Sequence, residues 1–470
     1  MLNETLFKHL ESHANEVNLP ILDNQSFDRY TNEYGRDVFR WTLSEYIAKV
    51  RPRFPLKPIS DEDMRSTFSS LKKADYSIYC SPIEQVEKEI FEKYDDLEYP
   101  FSKYGLGIID APSTYNPVSN YFHQDLRLAC SSYGFEAPLE VWQNGTAKDI
   151  WRCFGPIWRG INGVKKVMVE GKEELRGGKL DEASYLSAFR LGTYIATQFK
   201  PIVAKCVYEM TDAKTVLDTS CGWGDRLCGF FATKGTEIYI GCDPNPNTFE
   251  VYKQQCVEYE KILTGHAPKI TETKDKFMSV GEKRVIIYRS GAEDIPYGQF
   301  PPIDCAFTSP PYFSTETYNK GGEHEEDQSW SKFSEYDSWR DDFFLPVSSK
   351  SFEVLSENGH LLINIMNPKV KGKMFPSCDE VVDLLRPYFK GQIGMRIMQR
   401  PQSSESFLEK WSDVKGDSDE NQVSDKEGID RTAMQDFMKK LYMENVWWFS
   451  KEDKDLFLPN RRNTLESFFG

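Results

Sequence analysis

From about residue 184 onward, short apolar runs alternate with helical stretches, and few folds accept that pattern. The runs are "TVLDTSC" (215–221), "EIYIGCDPNP" (237–246), "RVIIYRSGAEDIP" (284–296), "IDCAFTSPPY" (303–312), "NGHLLINIM" (358–366), "IGMRIMQR" (393–400) and "NVWWFSK" (445–451). Between them lie helical patterns such as "FEVYKQQCVEYEKIL", "SWRDDFFLPVSSKSFEVL", and a stretch over 184–210 broken near Pro201. Strands that alternate with helices pair in parallel, because each crossover helix returns the chain to the same end of the sheet. The expectation is an α/β domain with a mostly parallel sheet and helices on both faces.

The rest of the chain bounds this domain. Residues 1–183 are mixed and aromatic-rich, with turns at "RPRFPLKP" and "DAPSTYNP", and carry no nameable motif; they read as an accessory domain of mixed α/β or mainly helical structure, with target recognition as one open role. Residues 184–455 form the α/β domain and 456–470 a tail. Two polar tracts, about 314–338 and 402–435, read as mobile loops. The chain has 470 residues and a net charge of −15, so any nucleic-acid contact needs a local basic face. Ten cysteines without a C-x-x-C pair read as reduced thiols of a cytoplasmic-type compartment. The six histidines form no ligand pattern with them, and no metal is expected. No stretch reaches the roughly 18 apolar residues of a membrane helix.

Two motifs carry chemistry. In "LDTSCGWGDRL" a strand runs through Ser220 and Cys221 into Gly222 and Gly224 and then a helix. Glycines admit a ligand to the backbone there, and a helix N-terminus favours an anionic group. Asp218 lies at the strand end, where an acid can hold an ammonium or a hydroxyl. Asp243, followed by Pro244, ends the next strand at the spacing of an acid that accepts ribose hydroxyls. Trp223 either covers a ligand or packs. The second motif is Thr308, Ser309, Pro310, Pro311, Tyr312 and Phe313. Proline has no N–H to give, so the strand must stop here and leave a rigid tip of hydroxyl and aromatic groups.

The third glycine of a dinucleotide fingerprint would fall at Leu227, so the loop is not of the NAD type. A D-x-x-x-G-x-G loop, an acid on the second strand and S-P-P-Y on the fourth resemble the class I S-adenosylmethionine-dependent methyltransferases. The resemblance narrows to those that modify exocyclic amines of nucleic-acid bases, in their gamma-like motif order. It spans roughly residues 185–455. It implies a Rossmann-like, seven-stranded, mostly parallel sheet and S-adenosylmethionine as cofactor. It further implies cofactor contacts from Phe199 and Pro201 in the segment before the glycine loop. Ala292 and Glu293 after the third strand and Thr308 before the tetrapeptide join them. Ser309 through Tyr312 become the catalytic tetrapeptide, with Phe313 walling its pocket. The Ser309 hydroxyl and the Pro310 carbonyl would accept the amine's two N–H groups, and Tyr312 would stack on a base flipped out of its helix.

Serine at the first position is commonest among cytosine-N4 enzymes, which favours cytosine over adenine N6 and DNA over RNA as partner. C5-methylation needs a cysteine, usually in a Pro-Cys pair, and the sequence has none. The alternatives are an RNA or protein-glutamine amino-methyltransferase, or a cofactor-binding subunit without catalysis. A partner subunit or a homodimer stays open. For nucleic-acid contact the stretch 151–179 stands out, with Arg152, Arg159, Lys165 and Lys166 interleaved with tryptophans.

Overall fold

The computed structural model describes residues 2–56, 58–81, 108–161, 163–318, 320–322, 324–396 and 443–451. The tract 402–435 and the tail 456–470 lie outside the described residues. The chain forms two compact units. One comprises Met1–Ile59, His123–Thr197 and Glu316–Glu325; the other comprises Ser60–Phe122, Gln198–Thr315 and Glu326–Gly470. Thus Ser60–Phe122, which the sequence places with the accessory region, belongs to the unit that carries the large sheet.

Strands are numbered along the chain: β1 Cys80–Ser81, β2 Ile108–Asp110, β3 Lys165–Val169, β4 Lys172–Arg176, β5 Thr215–Asp218, β6 Ile238–Cys242, β7 Lys269–Thr273, β8 Lys276–Val280, β9 Arg284–Tyr288, β10 Ile303–Thr308, β11 Leu355–Asn364, β12 Lys369–Val370, β13 Lys373–Met374, β14 Phe389–Arg396 and β15 Met443–Ser450.

In the first unit, helices Glu4–Ser12, Asn24–Tyr34, Arg36–Val50, Ala147–Phe154 and Glu182–Gly192 surround an apolar core that includes Phe27, Phe39, Trp142, Trp158 and Phe189. The β3–β4 hairpin is antiparallel, with Lys166 opposite Leu175 and Met168 opposite Glu173.

The second unit holds an 11-stranded sheet in the order β1-β2-β14-β15-β11-β10-β5-β6-β9-β8-β7. Its centre, β9-β6-β5-β10-β11, is wholly parallel, and β15 enters antiparallel between β11 and β14. These seven strands are the Rossmann-like sheet that the resemblance implied. The sequence missed the two strands added at each edge. Of those, β7 and β8 form an antiparallel hairpin before β9. Residues Thr215 to Asp218 are all buried, as strands covered on both faces must be.

The crossover helices have local causes. Helix Asp225–Ala232 starts after Gly224, whose φ of 78° only glycine takes without strain. A Cβ there would also meet Gln255 Oε1 at 2.0 Å. Helix Pro246–Thr264 is capped by the Asn245 side chain, begins on a proline and ends at Gly265 with φ 81°. Helix Pro201–Met210 likewise begins on its proline, which explains the break read in the sequence. No helix among the described residues is long and apolar enough to cross a membrane. None of the ten cysteines forms a disulfide, and nine are buried.

Candidate active site

The chain runs from β5 outward through β6 to β9, then returns to lay β10 on the other side of β5. The strand order reverses between β5 and β10. In open α/β sheets ligands bind outside the carboxyl ends of the strands at such a point, because crossover helices leave it in opposite directions. The two sequence motifs are the segments that leave those ends.

Hydroxyl groups stitch the two exits together. Thr308 Oγ1 lies 3.0 Å from Thr219 Oγ1 and 2.7 Å from Ser220 Oγ. Ser220 Oγ also lies 2.7 Å from the Ser309 carbonyl and donates to it. The Ser309 carbonyl is thereby used, but its own hydroxyl makes no hydrogen bond among the described residues. No backbone N–H among them is directed at the Pro310 carbonyl either. Ser309 is half-buried. The strand exit therefore presents two unengaged oxygen acceptors, one on a side chain and one on the backbone.

Tyr312 donates its hydroxyl to the Asn364 carbonyl at 3.2 Å, which ties the tip to the end of β11. Phe313 is turned away into an aromatic cluster. It is 5% exposed, and its ring centroid lies 5.5 Å from Tyr336, 5.9 Å from Trp339 and 5.5 Å from Phe375. The expected pocket wall is thus a core residue. Its φ of 50° is unusual for an aromatic residue, and the packing around its ring holds it there.

The glycine turn is built on a buried ion pair. Arg226 donates to both Asp218 oxygens, at 2.9 and 3.1 Å, and to the Ser220 carbonyl. Its guanidinium lies 5.0 Å over the Phe199 ring. Tyr239 donates to Asp218 Oδ2 at 2.6 Å. Burial works against the arginine's charge, but the Asp218 carboxylate more than offsets this and its pKa is raised. Asp218 is 0% exposed, so it does not reach a ligand. It shapes the site through Arg226. The Cys221 thiol is buried, and burial pushes its pKa well up, so Cys221 offers the turn its backbone. Asp225, the first residue of the following helix, is buried and accepts from Gln198 Nε2 at 2.9 Å.

Gly222 differs from these. It is exposed, has φ 56°, and a Cβ there would meet only the Ser220 carbonyl, at 3.7 Å. Its N–H donates to Asp243 Oδ2 at 2.9 Å. Asp243 is half-buried and also accepts from Asn245 N at 2.9 Å. The Tyr252 hydroxyl sits 3.0 Å from Asp243 Oδ2 and 2.5 Å from the Gly222 carbonyl. Burial raises the Asp243 pKa to about 6, although the surrounding donors pull it down. Pro244 follows as a half-buried turn residue. Trp223 is half-buried, and its carbonyl accepts from Gln255 at 3.3 Å.

Elsewhere, Ala292 is buried and Glu293 is bound by Lys332, which also pairs with Asp294 at 3.2 Å. Phe199 is half-buried against Phe307, and Pro201 is buried as the first residue of its helix. Of the polar tract 314–338, read as a mobile loop, Glu316–Glu325 belongs to the first unit, where Glu316 accepts from Tyr133 at 2.9 Å. The basic stretch is largely neutralised. Arg152 pairs with Asp149 at 2.7 Å and Lys166 with Glu173 at 2.9 Å, while Arg159 and Lys165 are exposed. Trp158 is buried in the core and Trp151 lies 3.7 Å under the Arg40 guanidinium, so neither offers a ring for a base.

No family model matches the sequence, and no curated protein matches it. Among solved structures the chain is similar to an rRNA methylase from Streptococcus thermophilus, with 12% identity, a TM-score of 0.26, and cover of 44% of this chain and 93% of that one. Trm1 from Pyrococcus horikoshii, in complex with S-adenosyl-L-methionine, has 11% identity, a TM-score of 0.26, and cover of 54% and 56%. An S-adenosylmethionine-dependent O-methyltransferase from Thermotoga maritima has 9% identity, a TM-score of 0.29, and cover of 62% and 79%. The strand order itself, with a parallel centre and the antiparallel β15 set between β11 and β14, defines the fold.

Proposed function

We propose that this chain is an S-adenosylmethionine-dependent methyltransferase that modifies an exocyclic amino nitrogen of a nucleic-acid base, with cytosine N4 in DNA as the foremost target. One observation carries the proposal: two unengaged acceptors, Ser309 Oγ and the Pro310 carbonyl, stand on a proline-fixed strand exit beside an exposed glycine turn.

The residues suit the cofactor. Gly222 leaves open space where a side chain would stand, so a ligand can approach its backbone. A carboxylate offers about four lone-pair directions. Chain donors at Asp243 take some of them, and the single Tyr252 proton can turn to the Gly222 carbonyl, leaving room for ribose hydroxyls. Phe199 and Pro201 would flank the remainder. When bound, S-adenosylmethionine supplies a methyl group activated by a positive sulfur.

The chain's own task is then positional. An exocyclic amine is a poor nucleophile because its lone pair is delocalised into the ring. Accepting both N–H groups at Ser309 Oγ and the Pro310 carbonyl turns that lone pair out of conjugation. The Tyr312 ring, held by the Asn364 carbonyl, stacks on the base. The nitrogen would gain the methyl carbon as the carbon–sulfur bond breaks and its electron pair returns to sulfur; the methylated nitrogen keeps its N–H groups hydrogen-bonded to the two acceptors until one proton passes to water. No strong base is required.

Nucleoside mass spectrometry after incubation with methyl-labelled S-adenosylmethionine tests this. DNA and RNA should be offered separately, with Ser309→Ala and Tyr312→Ala as controls. N4-methylcytosine in DNA, lost in both variants, is the expected result. A mark only in RNA would move the substrate. No mark in either, despite cofactor binding, would sink the proposal.

A further inference from the structure

Beyond β11 the chain makes a small hairpin, β12–β13, that the site described above does not use. Lys369 pairs with Met374 and Val370 with Lys373, and the turn between them is Lys371-Gly372. Both turn residues have positive φ, 49° and 83°. That is the two-residue turn matched to strand twist, whose first position usually goes to asparagine, aspartate or glycine. A lysine there places a charged side chain at the tip at a conformational cost. Lys369, Lys371 and Lys373 are all exposed, and among the described residues no carboxylate forms an ion pair with any of them. In a chain of net charge −15, three uncompensated cations within five positions are a local reversal of sign.

The hairpin is also fastened to the strand exit. The Lys373 ammonium lies 4.7 Å over the Phe375 ring. Phe375 N–H donates to the Pro368 carbonyl at 3.0 Å, which closes the base of the hairpin. The Phe375 ring stacks on Tyr336 at 4.3 Å and meets Phe313 at 5.5 Å. Tyr312 is bonded to Asn364, five residues before the hairpin begins. The lysines are therefore coupled by rigid aromatic and backbone contacts to the residues that follow Ser309 and Pro310.

We propose that the Lys369–Lys373 hairpin grips the phosphodiester backbone of a nucleic-acid strand whose base is presented at Ser309–Tyr312. This rests on the proposed function for the choice of base chemistry, but the grip itself is a separate property. Its ligand is the phosphate backbone, which DNA and RNA share.

The test is fluorescence anisotropy of the full chain with labelled single-stranded DNA and RNA oligonucleotides across a salt series. The variants are K369A/K371A/K373A and K369R/K371R/K373R. Each lost phosphate contact lowers the slope of log affinity against log salt by about 0.7 on single strands. The alanine variant should lose about two units of slope and bind at least about tenfold more weakly at low salt. The arginine variant should keep wild-type affinity. S-adenosylmethionine affinity should be unchanged in both. An unchanged slope in the alanine variant would overturn the inference, and so would a wild-type chain that binds neither oligonucleotide at low salt. Parallel loss of cofactor binding would make the hairpin structural and overturn it too. If the hairpin variant loses strand binding but wild type deposits no methyl mark, the grip stands and the methyl-transfer proposal falls.

Discussion

Asp218 and Asp243 end neighbouring parallel strands, and in the sequence they look alike: an acid after an apolar run, before a turn. Their surroundings are opposite. Asp218 has no exposed surface and faces a full guanidinium, with a tyrosine hydroxyl on the same oxygen. Asp243 is half-buried and is ringed by neutral donors that only partly offset its burial. A carboxylate neutralised by an arginine has no further call on a ligand. One that is desolvated but not neutralised gains from any donor that arrives. The first is part of the frame; the second is the acceptor that the proposed function assigns to the ribose.

The largest effect should come from breaking the frame. Asp218→Ala leaves Arg226 charged and unpaired in the interior, and removing one partner of a buried pair costs about 3–5 kcal/mol. Urea unfolding should show that loss. A double variant, Asp218→Leu with Arg226→Met, should lose less than Asp218→Ala, because it strands no charge. An equal or greater loss in the double variant would mean the pair stabilises by mutual attraction rather than by avoiding an unpaired ion.

Asp243→Ala should do the reverse. Its ionised carboxylate is uncomfortable in the folded state, so unfolding should change little. Hydrogen bonds to charged groups are worth about 1.5–3 kcal/mol, which predicts roughly a 10- to 100-fold weaker affinity for S-adenosylmethionine by calorimetry. If the variant unfolds and Asp218→Ala binds normally, the two roles have been assigned backwards.

The sheet was legible because its strands are buried on both faces and must be apolar, and because prolines and glycines mark where each stops. Thr215–Asp218, Ile238–Cys242 and Ile303–Thr308 could be read in this way. The β7–β8 hairpin could not. Its residues, from Lys269 through Val280, are mostly polar at an edge where one face meets water. Residue type and spacing singled out Gly222, Asp243, Ser309 and Pro310, which lie on the turns that leave neighbouring strands. They could not separate Asp218 from Asp243, because the difference is a guanidinium that reaches back from the first turn of the following helix. Phe313 failed for a related reason. A tip ending in two aromatics does not say which of them turns inward. The Lys369–Lys373 stretch carried a plain charge signal, but its place beside the strand exit depends on the Phe375 contacts, which no local pattern encodes.

Acidity offers a finer comparison. The Asp243 pKa is raised from 3.8 to about 6, so the folded chain holds this proton more tightly than the unfolded chain. Ionising it therefore costs folding stability. The carboxyl's contribution is present below about pH 4 and is lost as the pH rises through about 6. Cofactor binding has the opposite sign, because ribose hydroxyls need the ionised acceptor. Affinity should climb through about pH 6 and fall about tenfold by pH 5. That climb should vanish in Asp243→Asn. A pH profile that survives the substitution would assign the titration elsewhere.

The smallest effect, and the sharpest, belongs to Tyr252→Phe. The lost hydroxyl stands between the Gly222 carbonyl and Asp243 Oδ2 and is one of the donors that hold the Asp243 pKa down. With cofactor bound the hydroxyl serves the neutral Gly222 carbonyl, and one neutral hydrogen bond is worth about 0.5–1.5 kcal/mol net, so affinity at neutral pH should fall only a few-fold. The midpoint of the pH profile should also move upward, because less of the burial penalty is now offset. A structural defect in the turn would lower affinity at every pH without moving that midpoint. A fall in affinity with an unmoved midpoint would therefore place Tyr252 with Asp218 in the frame, and a moved midpoint would place it with Asp243.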